Sequence, residues 1–102
     1  VECDATVRAR VELVKGRKLD RPIIEVDDTV QVLGFGGTVE LATEDAARGA
    51  VEWFVGRTGM DRREAYMLLS IVGELRIGTS PRPVMAARLI IPRPVIDAAA
   101  GG

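Results

Sequence analysis

The sequence predicts an α+β fold in which two consecutive helices pack on a mainly antiparallel sheet. Short segments rich in β-branched residues come first, two segments with helical spacing of apolar residues follow, and strand-like segments come last. Strands grouped before and after helices are typical of α+β proteins rather than of alternating α/β folds. We expect residues 1–96 to form a single α+β unit, and residues 97–102, which are mostly small, to form a flexible tail.

Three strands are predicted in the first third of the chain. Residues 5–14 alternate strictly between apolar and polar or charged side chains, which is the pattern of a half-buried strand. A Lys-Gly turn separates them from a second strand over residues 23–26. The acidic turn at Asp27 and Asp28 then leads into a third strand over residues 29–33. Short turns between successive strands predict a meander.

A run of glycines at residues 34–37 is interpreted as a flexible turn or bulge. A dinucleotide-binding fingerprint would need a glycine where Val39 stands, and it would need a helix to follow directly. Instead a further strand-like stretch follows over residues 38–41. The spacing therefore excludes a phosphate-binding loop of that type.

A first helix is predicted over residues 44–58, with Thr43 as its N-cap and Gly59 as its stop. Its acidic first turn suits the positive end of the helix dipole. Small residues such as Ala46 and Gly49 would let this helix approach a sheet closely.

A second helix is predicted to begin at Asp61, because Glu64 three residues later gives the spacing of a capping box. Gly73 ends it. The helix is apolar almost all round, so we expect it to be buried on more than one side. The hydroxyl of Ser70 is expected to bond to the carbonyl four residues earlier.

Two strands are predicted to close the fold. A short strand contains Leu75 and Ile77 and is followed by a loop over residues 79–83. The last strand covers residues 84–91, and the prolines that come after it end it because proline cannot donate to a ladder.

The composition excludes several classes of protein. Charge is nearly balanced, with 14 Lys and Arg against 15 Asp and Glu, so no net field attracts nucleic acid or an anionic membrane. The single cysteine, Cys3, excludes an internal disulfide. No apolar run is long enough to span a membrane and no signal peptide is visible, so we expect a cytoplasmic protein. One group of basic residues is interpreted as a solvated loop: Lys15, Arg17, Lys18 and Arg21.

The chain contains no histidine. Histidine is the commonest general base near neutral pH and a frequent metal ligand. Its absence suggests that any chemistry here is shared with residues from elsewhere.

Residues 65–77, AYMLLSIVGELRI, resemble the C-terminal region of the acetamidase/formamidase family, in which a similar stretch precedes a loop and a final strand. Looser similarities cover residues 7–16 and 43–59. The first residues look like the end of the family's "GDGExxGxAxE" segment, with Glu2 on the final glutamate. The family more often has Asp at the position of Glu74. A Gln commonly follows the family's "LRI" segment within two residues, where this chain has Gly78, Thr79 and Ser80.

The resemblance implies that the chain is the C-terminal part of a larger, β-rich amidohydrolase. The parent would hydrolyse short aliphatic amides, such as formamide or acetamide, to a carboxylate and ammonia. Glu2 would be catalytic, as a general base or a metal ligand; the alternative is an ordinary terminal glutamate. A divalent, zinc-like metal would be bound mainly by upstream His and Asp residues outside this chain, so the chain alone would be inactive. The expected partners are the N-terminal portion or a complementary chain, and further copies in a homo-oligomer.

Glu74 and Arg76 are the predicted substrate-binding residues, because they are two apart on a strand and so share one face. They could form an ion pair that supports a pocket or an interface, or they could simply be exposed. A second hypothesis needs no chemistry at all. The apolar excess of the second helix and last strand also suits a non-catalytic α+β module for oligomerisation or interaction.

Overall fold

The structure, a computed structural model, describes Thr6 and residues 8–13, 21–78 and 84–101. Its elements, in chain order, are β1 (Ile23–Val26), β2 (Thr29–Gly36), α1 (Val39–Thr58), α2 (Arg62–Val72), β3 (Glu74–Gly78), β4 (Met85–Pro92) and α3 (Arg93–Gly101). The four strands form one antiparallel sheet in the order β1-β2-β4-β3. The α+β class is therefore confirmed, with three helices instead of two.

The strand predicted over residues 5–14 is wrong for the part that the structure describes. Thr6 and residues 8–13 have no regular secondary structure. Val11 and Leu13, which were expected to face a core, are 94% and 82% exposed. An alternating segment forms a strand only where a neighbouring strand pairs with its backbone groups, and no such neighbour exists among the described residues.

The predicted glycine turn is also wrong, because β2 runs straight through it to Gly36. These glycines serve the packing of the helix above them. A Cβ on Gly34 would overlap the backbone of Ala46, and a Cβ on Gly36 would lie 2.7 Å from the amide nitrogen of Ala42. The expectation that α1 approaches the sheet closely is confirmed.

Helix α1 begins earlier than predicted. The side chain of Thr38 accepts the Leu41 N–H at 3.1 Å and so caps the helix. The predicted cap, Thr43, lies inside the helix, where its hydroxyl donates to the carbonyl of Glu40. The strand-like stretch at 38–41 is thus helical. Gly59 ends the helix with a left-handed φ of 76°, as predicted.

Helix α2 has the predicted ends. Asp61 Oδ2 accepts the Arg63 and Glu64 amides at 3.1 and 3.4 Å, and the Gly73 N–H donates to the Leu69 carbonyl. The Ser70 hydroxyl donates to the carbonyl of residue 66 at 2.7 Å, also as predicted. Burial on more than one side is wrong, however. Three large side chains of α2 are exposed instead: Tyr66, Met67 and Ile71.

The flexible tail predicted for residues 97–102 is helical as far as Gly101, within α3. Pro94 is tolerated because it stands in the first turn, where its missing N–H has no helical partner to lose. Ile96 is only 1% exposed and belongs to the main core. The N–H of Arg93 donates to the carbonyl of Asp28, which ties α3 to the β1–β2 turn.

All three helices lie on one face of the sheet, and the main core is between them. Its largest fully buried side chains are Phe54, Ile91, Ile96, Val30 and Val32. Alternation along the strands and their register assign the remaining side chains to the opposite face, which we call the outer face. Its larger residues are Ile24, Val26, Gln31, Leu33, Phe35, Glu74, Arg76, Arg88 and Ile90.

Candidate functional site

The predicted catalytic residue, Glu2, lies outside the described residues, as does Cys3. The two predicted substrate-binding residues are both described. Glu74 and Arg76 lie on β3 and point to the outer face, where they form an ion pair with Arg76 Nε 3.3 Å from Glu74 Oε2. Their side chains are 58% and 57% exposed. Neither residue lines a cleft that is described below, so their contact with substrate remains a prediction.

A groove of about 910 Å³ runs between α1 and α2. Residues of both helices line it: Glu44, Ala47, Arg48, Val51, Asp61, Arg62, Arg63 and Tyr66. A smaller cleft of about 230 Å³ shares three of these residues and continues toward Leu75 and Leu89. The groove has an apolar floor and a charged rim. The Asp61 carboxylate caps α2, where it accepts the backbone N–H of Arg63. Arg62 forms an ion pair with Glu52 at 3.6 Å.

The groove holds no complete set of groups for hydrolysis. In the ranges that the structure describes, no cluster of three or more His, Cys, Asp or Glu residues could hold a metal ion. The two carboxylates at the rim, Glu44 and Asp61, are open to solvent. The geometry therefore suits a binding or packing surface better than a self-contained active site.

The best-organised polar cluster joins Arg21 and Asp45. Arg21 Nη1 lies 2.9 Å from Asp45 Oδ2 and also donates to the carbonyl of Asp45 at 2.8 Å. Asp45 Oδ2 accepts the backbone N–H of Phe35 at 3.0 Å. This backbone hydrogen bond and the charge of Arg21 hold the pKa of Asp45 below its ordinary value, against the opposing effect of burial. The cluster links the residue before β1 to both β2 and α1.

Sequence reasoning missed this cluster, because Arg21 was assigned to a solvated basic loop. Its side chain is only 17% exposed. One signal was present in the helix itself. Gly49 lies one turn after Asp45, and a Cβ there would overlap the Arg21 side chain. A glycine inside a helix usually has a packing reason, and here it makes room for an arginine.

A second arrangement involves the predicted site residue Arg76. In the register of β3 and β4, Arg76 lies directly opposite Arg88, so two cationic side chains meet on the outer face. Arg88 is half-buried.

Comparison with protein-family models and with curated proteins found no match to this chain. Solved structures are similar, however. The acetamidase from Yersinia enterocolitica matches 81% of this chain with a TM-score of 0.76 and 29% identity. Two further matches show the same fold at lower identity. They are the acetamidase from Bacillus halodurans (TM-score 0.71, 23% identity, 76% of this chain) and a predicted acetamidase/formamidase from Thermoanaerobacter tengcongensis (TM-score 0.77, 22% identity, 84% of this chain).

The match covers only 25%, 26% and 29% of those three chains, so this chain spans about a quarter of their length. None of the described helices is long and apolar enough to cross a membrane. The chain has the α+β fold of one part of these proteins, and its resemblance to the acetamidase/formamidase family is confirmed.

Proposed function

We propose that this chain forms the C-terminal part of an amidase that hydrolyses short aliphatic amides, such as formamide or acetamide, to a carboxylate and ammonia. The observation that carries the proposal is the similarity to the Yersinia acetamidase over 81% of this chain. The resemblance of residues 65–77 to the family's C-terminal region also supports it.

The groups that activate water are proposed to lie mainly outside this chain. The described residues do not fit a metal site, since no cluster of three possible ligands occurs among them. We therefore assign no metal-dependent step to them. Glu2 is proposed as the one catalytic carboxylate that this chain contributes, and any divalent metal would be held by the remainder of the protein.

Glu74 and Arg76 are proposed to line the substrate pocket. Their side chains are held together by two contacts, from Arg76 Nε and Nη2 to the carboxylate of Glu74. An ion pair that is more than half exposed contributes little to stability, so its position is more informative than its energy. The pair can become part of a pocket only when another part of the protein covers the outer face.

The proposed partners are the N-terminal portion of the same protein or a complementary chain, together with further copies in a homo-oligomer. We propose that the protein is located in the cytoplasm. A small amide is the proposed substrate.

The test replaces the matched quarter of the Yersinia acetamidase by this chain and measures ammonia release from formamide and acetamide. We expect turnover by the hybrid and none by the isolated 102-residue chain. A hybrid that folds like the Yersinia enzyme but releases no ammonia would contradict the amidase proposal. Turnover by the isolated chain would contradict the assignment of activating groups to other segments.

A second candidate is a non-catalytic module that associates with itself or with a partner. The exposed side of α2 favours it, because Met67 is 60% and Ile71 81% exposed. Exposed apolar side chains that lie together mark interaction surfaces. Intact mass combined with light scattering discriminates the two. Two results together support the non-catalytic module: the chain forms a stable homodimer without any co-purifying chain, and the hybrid is inactive.

A further inference from the structure

The outer face carries two arginines that oppose each other across neighbouring strands. Arg76 on β3 is the direct register partner of Arg88 on β4. Side chains at directly opposite positions of antiparallel strands have Cβ atoms about 5 Å apart, and like charges there are unfavourable. All three helices pack on the other face, so no described helix shields or neutralises this pair.

Of the two arginines, Arg76 has a carboxylate partner among the described residues. Glu74 contacts Arg76 through both of its oxygens, at 3.3 and 3.4 Å. In the part of the chain that the structure describes, no acidic side chain contacts Arg88. Leu33 lies opposite Arg88 on its other side, so the row across the sheet reads Leu33, Arg88, Arg76. One further carboxylate above this row would pair with the second guanidinium group.

An apolar surface that contains small residues adjoins the arginines. Phe35, which is 42% exposed, lies opposite Ala86, and Ala86 lies opposite Gly78. Two small residues in a row leave space beside the Phe35 ring. Among the described residues, a Cβ on Gly78 would have only the carbonyl oxygen of Ala86 within reach, at 4.0 Å. A partner's apolar side chain can fill this space.

We propose that the outer face docks the remaining part of an amidase-like parent protein. The partner places a carboxylate between Arg76 and Arg88 and an apolar side chain over Ala86 against Phe35. This inference rests on the proposed function and names the contact that it requires. The remaining part of the parent is the proposed occupant, because this chain covers only 25% of the Yersinia acetamidase. Arginine paired with carboxylate is a strong, directional contact at interfaces.

Charge disfavours a second copy as the occupant. Among the described residues, the outer face of the sheet carries Arg76 and Arg88 but only one acid, Glu74. Two such faces brought together would have an excess of positive charge. An acidic partner surface removes this excess.

The test compares Arg88→Glu in two settings by thermal melting. In the isolated chain we expect the melting temperature to rise by about 3 °C, because a repulsion across the strands becomes an attraction. In the hybrid with the Yersinia acetamidase we expect the melting temperature to fall by a similar amount, because the carboxylate introduced at position 88 then faces the partner's carboxylate. Arg88→Gln should lie between these extremes, and Arg63→Glu on α2 is the control charge reversal away from the outer face.

The diagnostic result is a sign reversal: Arg88→Glu raises the melting temperature of the isolated chain and lowers that of the hybrid. An isolated chain that is destabilised by Arg88→Glu overturns the proposal, even if the hybrid fails to fold. A hybrid that releases ammonia but tolerates Arg88→Glu overturns the docking surface and leaves the amidase function standing. An inactive hybrid that shows the sign reversal supports the surface and counts against the function. An isolated chain that sediments as a dimer, and that Arg88→Glu dissociates, assigns the face to a second copy and overturns the proposal.

Discussion

Arg21 and Asp45 are joined twice, through the carboxylate of Asp45 at 2.9 Å and through its backbone carbonyl at 2.8 Å. They are 24 residues apart in the chain. The arginine thereby fixes the entry to β1 against α1, while the carboxylate holds the Phe35 amide of β2. A single side-chain pair thus sets the position of the helix relative to two strands.

We expect Arg21→Ala to lower the free energy of unfolding by about 2 kcal/mol, because it leaves a partly buried carboxylate with a weaker set of partners. Urea denaturation measures the change. The matched control is Arg76→Ala, which breaks an exposed ion pair and should change stability by less than about 1 kcal/mol. Equal effects of the two substitutions would show that Arg21 is solvated in solution.

The lowered pKa of Asp45 predicts a loss of stability in acid. The folded-state pKa lies below the ordinary value of 3.8, so the stabilisation is complete above that value and disappears as pH falls through the folded pKa. Asp45→Asn should therefore be destabilising at pH 7, and the difference from the wild-type chain should shrink below pH 3.8. Urea midpoints measured from pH 7 to pH 2 test this. A difference that is independent of pH would contradict it.

The two helical glycines of α1 should respond oppositely to alanine. Gly56→Ala should stabilise by about 1 kcal/mol, because a Cβ there meets no described atom within 4 Å. Gly49→Ala should instead destabilise, because its Cβ displaces Arg21. In an Arg21→Ala background the same change should become stabilising, and this reversal is measured by a double-mutant cycle. A gain at Gly49 equal to that at Gly56 in the wild-type chain would refute the packing role.

Gly34→Ala should be among the most damaging single substitutions, with a cost of about 3 kcal/mol. The added Cβ overlaps the backbone of Ala46 and lies 2.8 Å from the carbonyl oxygen of Ala42, so α1 would have to move away from the sheet. Gly37→Ala is the control, because within the described ranges its Cβ would have no neighbour closer than 4 Å. Thermal melting of both variants is sufficient. A Gly34 variant as stable as the Gly37 variant would mean that α1 packs further from β2.

Local signals were enough to predict most of the fold. Strand β1, the caps Asp61 and Gly59, and the back-bonded Ser70 depend on residues close in sequence, and all are as predicted. The predicted start of α1 was wrong because residues 38–41 were interpreted as a strand-like stretch, whereas Thr38 caps the helix. The choice of Thr38 is made by tertiary contact, since the first turns of α1 must meet the glycines of β2.

The rest depended on contacts that no local pattern carries. Helix α3 was missed because its one proline and its small residues resemble a tail, whereas Ile96 is retained by the core. Arg21 was missed because a basic run does not reveal which of its members finds an acid. Strand period two placed Glu74 and Arg76 on one face and allowed the ion pair that the structure shows. The opposition of Arg76 and Arg88 needs the register, which the sequence does not supply.

The central strand β4 has a consequence for how the protein is made. Its partner β2 lies about half the chain earlier, and β3 and α3 pack on it as well. Neither β2 nor α1 can complete its contacts until the ribosome has released nearly all of the described residues. Such distant pairing slows folding and leaves apolar surface open meanwhile. The order of synthesis therefore delays the core until β4 has left the ribosome, and a chaperone would find its binding surface on the nascent α1 and β2.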